Sequence, residues 1–194
     1  MKPRPPSLPS PPGYVLVPVQ TTYLEMKGRP ETDPIVIPPG CLVERWIKPD
    51  TKAYCGLFAA VGGEWGWSGR LIMKKAELTT ILHAGTTEVY RLLCHGQVAG
   101  FAELDRSISG QAELTYFGLL PAFIGRGLGK FLLDWVVRRA WKGDTTRVWL
   151  HTCQFDHGDA LSVYLKAGFR VYDEKIEMQP YAREFIARRR PAGN

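Results

Sequence analysis

The spacing of apolar and polar positions changes period several times along the chain, and each change marks an element. Residues 14–26, rich in Val, Thr and Tyr, predict a strand, 27–40 with four prolines a linking loop, and 41–47 a second short strand. Asp50 is placed to cap a helix through Ala53, Leu57 and Ala60 towards Gly62, and after a turn-rich segment a second helix fits 74–83. Three strands follow, 88–95, 98–105 and 112–120, and the turns between them are short enough to make an antiparallel meander. From Gly127 the period becomes helical, with Leu128, Leu132, Trp135, Val136 and Arg139 on one face as far as Gly143. A strand at 147–153, a helix at 157–167 stopped by Gly168, and a strand at 169–178 complete the pattern. This order describes an α/β (α+β) fold, a mixed and mainly antiparallel sheet with flanking helices.

The ends differ from the middle. Six prolines between Pro3 and Pro12 predict an extended, disordered arm over 1–13, ahead of one domain over 14–180. Arg183, Arg188, Arg189 and Arg190 make 181–194 a basic tail, which accounts for part of the net charge of +6. The remaining excess suits a cleft for a polyanionic small molecule as well as it suits a nucleic acid, but no basic and aromatic alternation on strands supports the second. No apolar run reaches the length that spans a bilayer and prolines occupy the place of a signal peptide's apolar stretch, so a cytoplasmic protein without membrane contact is expected. Cys41, Cys55, Cys94 and Cys153 have no CxxC spacing, and neither a zinc site nor a disulfide framework is expected. The four histidines show no metal-ligand spacing.

Between a strand end and a helix start lies Ile124-Gly125-Arg126-Gly127-Leu128-Gly129. Glycines let backbone amides approach a ligand closely, and the free N–H groups and dipole of a helix start favour an anion, phosphate above all. A Walker A loop would need glycine at Ile124 and Ser or Thr at Phe131, and a dinucleotide fingerprint would need glycine at Lys130; neither fits. The second string, from His157 through Ala160 and Tyr164 to Gly168-Phe169, puts a small residue and a phenol four apart on one helix face, with Asp156 available as N-cap.

Together and in this order, the two strings resemble the signature of the GNAT superfamily of acyltransferases. The first is similar to [Arg/Gln]-x-x-Gly-x-[Gly/Ala], with Ile124 where Arg or Gln is usual and Arg126 or Lys130 able to supply charge. The second is similar to Asn-x-x-Ala-x-x-x-Tyr-x-x-x-Gly-Phe, with His157 in place of Asn. The resemblance spans roughly 41–178 and is specific over 113–169. It implies a V-shaped splay between the strands ending near Leu120 and Cys153, opened by a bulge near Gly118. It also implies acetyl-CoA as cosubstrate, held by Phe117, Leu119, Ile124, Gly125, Arg126, Gly127, Leu128, Gly129, Lys130, His157 and Ala160.

The activity implied is transfer of acetyl to a primary amine, of a small molecule or protein, by direct attack in a ternary complex. A non-catalytic module of the same fold that binds acyl-CoA or a partner is the alternative, and a monomer or homodimer fits either. Tyr164 would be the acid that protonates the departing thiolate, or else a helix-face tyrosine with its ring in the core. Direct attack needs a neutral amine and therefore a base. Glu113 ranks first, Glu103 on the neighbouring strand second and at the acceptor site, and Asp105 third. Strict alternation would put Glu113, Thr115, Phe117 and Leu119 on one face. His151 reads as a satisfied strand residue. Trp65 and Trp67 either wall the acceptor site or anchor their loop to the core.

Overall fold

The computed structural model describes residues 11–189; most of the expected proline-rich arm, at 1–10, and the end of the basic tail, at 190–194, lie outside the described residues. The meander forms where the turn chemistry asks for it. His95 and Gly96, both at positive φ, close a two-residue turn between β3 (Thr87–Cys94) and β4 (Gln97–Asp105), a backbone that matches the twist of a hairpin. With β1 (Tyr14–Met26), β2 (Cys41–Arg45), β5 (Gln111–Leu119), β6 (Arg147–Cys153) and β7 (Arg170–Ala182) they make one sheet in the order β2-β3-β4-β5-β6-β1-β7. Every neighbouring pair is antiparallel except β5 and β6.

Each face of the sheet carries a core. On one, α1 (Thr51–Gly62) and α2 (Lys75–His83) bury Tyr54, Phe58, Val61, Leu78 and Leu82 against Val89 and Phe101. Asp50 caps α1 as expected, its carboxylate accepting the Lys52 and Ala53 amides at 3.0 Å. On the other face, α3 (Leu128–Ala140) lays Leu133, Val136, Val137 and Ala140 on Ala102, Leu104, Leu114, Val148 and Leu150. The short α4 (Ala160–Lys166) adds Val163 and Tyr164 to that cluster, and Ala167 just beyond its end joins them.

Several expectations are corrected by longer-range packing. β7 runs on to Ala182 and is followed by α5 (Arg183–Arg189), because Tyr181 and Phe185 are buried with Val19 in a small core of their own. The first part of the expected tail is therefore ordered. The last helix before β7 starts at Ala160 rather than 157, since the Asp156 carboxylate takes the Thr152 hydroxyl at 2.8 Å and the Cys153 amide at 2.9 Å instead of capping a helix. Cys41 and Cys94, directly opposite each other in β2 and β3, form a disulfide that their spacing in the sequence does not announce. No helix among the described residues is long and apolar enough to cross a membrane.

Candidate active site

The parallel ladder between β5 and β6 is short. Only Gln111 to Glu113 pair with Arg147 to Trp149; beyond that the strands diverge, and the edge of β5 facing β6 has no ladder partner over 114–119. The expected V-shaped opening is present, although its bulge lies elsewhere. Glu103 of β4 pairs with Tyr116 and Leu104 with Leu114, so Thr115 is the extra residue. That one insertion changes the phase of the strand. Glu113 and Tyr116 face the α1/α2 side while Phe117 and Leu119 face α3, so Glu113 and Phe117 do not share a face as alternation had required. Gly118 instead provides a close approach: a Cβ there would lie 2.5 Å from Val61 Cγ1.

At the open end of the V sits a cavity of about 700 Å³. One side is the glycine loop. Gly125 and Gly127 hold φ of +80° and +77°, a region that side chains with a Cβ rarely enter, and Gly127 begins α3 with no side chain capping it. The first amides of α3 are therefore free of intrahelical partners beside the cavity, which Ile124, Gly125, Gly127, Gly129 and Lys130 line. Arg126 and Leu128 do not line it. The Arg126 guanidinium lies over the Phe123 ring at 5.5 Å, and Leu128 is buried beneath the loop.

Phe117 and Leu119 from β5, and His157, Ala160 and Tyr164 from the second string, complete this half of the cavity. The Tyr164 ring meets Phe117 edge to face at 6.3 Å and Phe169 at the same distance. Burial, reinforced by the nearby Asp156 charge, pushes its phenol well above the ordinary tyrosine value, so it stays protonated. Thr115, at the crotch of the V, lines the cavity with a buried hydroxyl that has no hydrogen-bond partner among the described residues.

The opposite half is walled by the loop after α1. Trp65 meets the His157 ring edge to face at 5.1 Å. Trp67 packs on Phe58 and Tyr116, and its indole N–H donates to Asp156 at 3.2 Å, so it is both a wall and an anchor. The same loop is fastened to the C-terminal end of the chain. Ser68 donates to the Pro180 carbonyl, Arg189 donates to the Glu64 carbonyl at 3.1 Å, and Gly66 fits against Phe185 and Tyr181 so closely that a Cβ would lie 2.6 Å from the former. A roof thus crosses this half of the cavity.

The two carboxylates part company. Glu103 is fully buried, bonded by Tyr54 and paired with Arg70 beneath the loop, and it does not line the cavity where an acceptor-site group was expected. Glu113 does not line the cavity either, but its Oε1 lies 3.7 Å from Nδ1 of His151, which does. Among the described residues no cluster of His, Cys, Asp and Glu is placed to hold a metal.

Residues 67–169, more than half of the chain, match the model of the Acetyltransferase (GNAT) family. The chain belongs to that family. Solved structures agree on the fold of this GNAT protein. A GNAT-family protein from Novosphingobium aromaticivorans is 20% identical over 92% of this chain and 71% of its own, with a TM-score of 0.59. A GCN5-related N-acetyltransferase from Sphaerobacter thermophilus is 16% identical over 87% of this chain, with a TM-score of 0.58, but this chain covers only 52% of that one. An aminoglycoside acetyltransferase from an uncultured soil sample is 16% identical over 66% of this chain and 87% of its own, with a TM-score of 0.54. No curated protein matches the chain.

What the sequence missed in this GNAT site is set by pairing across the sheet. His151 reaches the cavity because β6 leaves β5 after Trp149, and Asp156 because it ties the end of β6 to Trp67. Neither residue carries a local signal beyond the polarity of its position.

Proposed function

We propose that this GNAT protein moves an acetyl group from acetyl-CoA to the primary amine of a small molecule, by direct attack in a ternary complex. The observation that carries the reading is the convergence, in one cavity, of the glycine-loop amides, the unpaired edge of β5, the protonated Tyr164 and an aromatic far half. The residues fit an acyl-CoA: an uncapped helix start suits a pyrophosphate, the open edge of β5 suits an amide-bearing arm, and the orphaned Thr115 hydroxyl suits an acyl carbonyl. When bound, acetyl-CoA supplies the activated acyl group.

Each protein group then has a defined task. The Gly129 and Lys130 amides and the Lys130 ammonium hold phosphate charge, with Ile124 contributing only its backbone. Amides of the splayed edge around Phe117 and Leu119 meet the charge that grows on the carbonyl oxygen. Tyr164 gives its proton to the sulfur as the C–S bond breaks. Direct attack is favoured over a cysteine relay because burial, and then the Asp156 charge, hold the Cys153 thiol above its ordinary range and so leave it un-ionised. The roof over the far half favours a small amine that enters head-first over an extended peptide strand, and the aromatic rings of Trp65, Trp67, Tyr116 and Tyr181 suit an apolar or cationic body.

One feature supports the second reading, a module that binds acyl-CoA without turnover: Ile124 is 40% exposed at the position where the family motif carries Arg or Gln. Titration calorimetry with acetyl-CoA, followed by coenzyme A release in the presence of an amine panel, tests both. Binding with turnover supports the enzyme, binding without turnover the module, and no binding at millimolar ligand overturns both.

A further inference from the structure

We propose that His151 is the base that takes the proton from the acceptor's ammonium, and that Glu113 is a positioning residue that acts through it. This rests on the acyl-transfer reading above and deepens it. The geometry separates the two residues by role. His151 lines the cavity on the diverging end of β6, with 39% of its side chain exposed, whereas Glu113 stands behind it on the last paired position of β5, off the cavity and 19% exposed. A carboxylate so placed cannot meet the amine without displacing the imidazole.

The imidazole is also held in a useful orientation. Its Nδ1 edge faces Glu113 Oε1 at 3.7 Å, an ion-pair distance, which favours the tautomer with the proton on Nδ1 and leaves the Nε2 lone pair on the opposite edge. Tyr23 of β1 lies against it with ring centroids 5.7 Å apart, and the Tyr23 hydroxyl is itself fixed by a 2.7 Å hydrogen bond to Glu177 of β7. The charged and titratable groups around the ring are thus Glu113 from β5, Tyr23 from β1, Glu177 from β7 and Asp156 from the turn after β6, with Lys175 over the Tyr23 ring at 4.8 Å. Burial would lower the imidazole's affinity for a proton, but Glu113 and then Asp156 and Glu177 outweigh it, so His151 titrates above its ordinary value.

The chemistry closes. The ammonium passes one proton to His151 Nε2, which releases it to solvent; the freed nitrogen pair forms the C–N bond as the C–S pair leaves on sulfur. Tyr164 protonates the thiolate, and the second proton shed by the acylated nitrogen restores Tyr164.

Two measurements test the assignment. Imidazole proton shifts of the acetyl-CoA-saturated protein are followed against pH, with His151→Gln used to identify the His151 signal. Its midpoint is expected above the ordinary histidine value and is expected to fall in Glu113→Gln, because removing an anion favours the neutral ring. In parallel, kcat is measured against pH with 2-phenylethylamine, 1,5-diaminopentane and Nα-acetyl-lysine amide. The wild type is expected to gain activity as pH rises through that midpoint, and Glu113→Gln to move the limb to lower pH with acetyl-CoA binding unchanged. His151→Gln is expected to abolish the limb and lower kcat about 10²- to 10³-fold, within the range for loss of a proton-transfer group. A midpoint indifferent to Glu113→Gln, or a His151→Gln enzyme that keeps its limb and its rate, overturns the proposal. So does a Glu113→Gln variant as slow as His151→Gln with no limb at all, which would return the base to Glu113. If none of the amines turns over while the coupled titration is seen, it is the acyl-transfer reading that fails and the base role falls with it.

Discussion

Gly127→Ala separates phosphate binding from stability in this site. Gly127 sits at φ +77° with no atom within 4 Å of where a Cβ would be, so the substitution meets no wall and its whole effect is conformational. A non-glycine residue in the left-handed region costs about 1–2 kcal/mol, and for a chain of this size that lowers Tm by roughly 2–8 °C if the loop keeps its shape. If the loop relaxes instead, the amides at the start of α3 lose their aim, and one charge-assisted hydrogen bond of about 1.5–3 kcal/mol corresponds to a loss of roughly 10- to 150-fold in acetyl-CoA affinity. Titration calorimetry reads that loss directly, independently of Tm. Gly56→Ala, on the exposed face of α1 with open space around it, is the control: it should raise stability by about 0.5–1 kcal/mol and leave binding alone. A Gly127→Ala protein that keeps both its Tm and its affinity for acetyl-CoA, the loop having relaxed without effect on the ligand, would refute the placement of the pyrophosphate on this helix start.

Tyr164→Phe removes the proposed acid while keeping the ring against Phe117 and Phe169, so kcat should fall about 10²- to 10⁴-fold with acetyl-CoA binding nearly unchanged. Because burial and Asp156 raise the folded phenol's pKa, the wild-type rate should hold through pH 10, where an ordinary tyrosine acid would be half lost; a decline centred at pH 10 contradicts the assignment. Glu103→Leu leaves Arg70 buried without its partner and should cost about 3–5 kcal/mol by denaturant melt, far more than a surface carboxylate, although Glu103 does not line the cavity. The Cys41–Cys94 bond closes a long loop, so reduction with dithiothreitol or Cys94→Ala should lower stability by about 2–4 kcal/mol, and equal melts of oxidised and reduced protein would show that the bond does not form in solution.

The parts of the site that could be read in the sequence are those whose chemistry is local. A glycine at positive φ ahead of a helix, or Ala160 and Tyr164 four apart on a helix face, is written in adjacent letters, and the structure places both strings on the cavity. The roof is not local. Tyr181 and Phe185 are apolar residues set among Arg183, Arg188 and Arg189, and their charged neighbours read as a solvated tail until Val19 and Gly66 supply something for the rings to pack on.

The base shows why the remainder was hidden. Counting by twos back from Phe117 to Glu113 assumes a strand without insertion, and under that assumption the carboxylate shares the face of Phe117. Thr115 breaks the count. Whether it bulges is decided by how Glu103 and Leu104 of β4 choose Tyr116 and Leu114 as partners, and that choice follows from the burial of Tyr116 against Phe58 and of Leu114 against α3. The bulge turns Glu113 to the other face, where the parallel pair Glu113 and Trp149 brings it alongside His151, and the splay that begins one residue later leaves His151 facing the cavity. One inserted residue thus moves a carboxylate off the site and behind an imidazole. Deletion of Thr115 should close the bulge and leave Leu114 opposite Leu104 and Tyr116 opposite Glu103, so Glu113 keeps both its face and its coupling to His151; a His151 titration midpoint that no longer responds to Glu113→Gln in the deletion variant would refute this reading of the bulge.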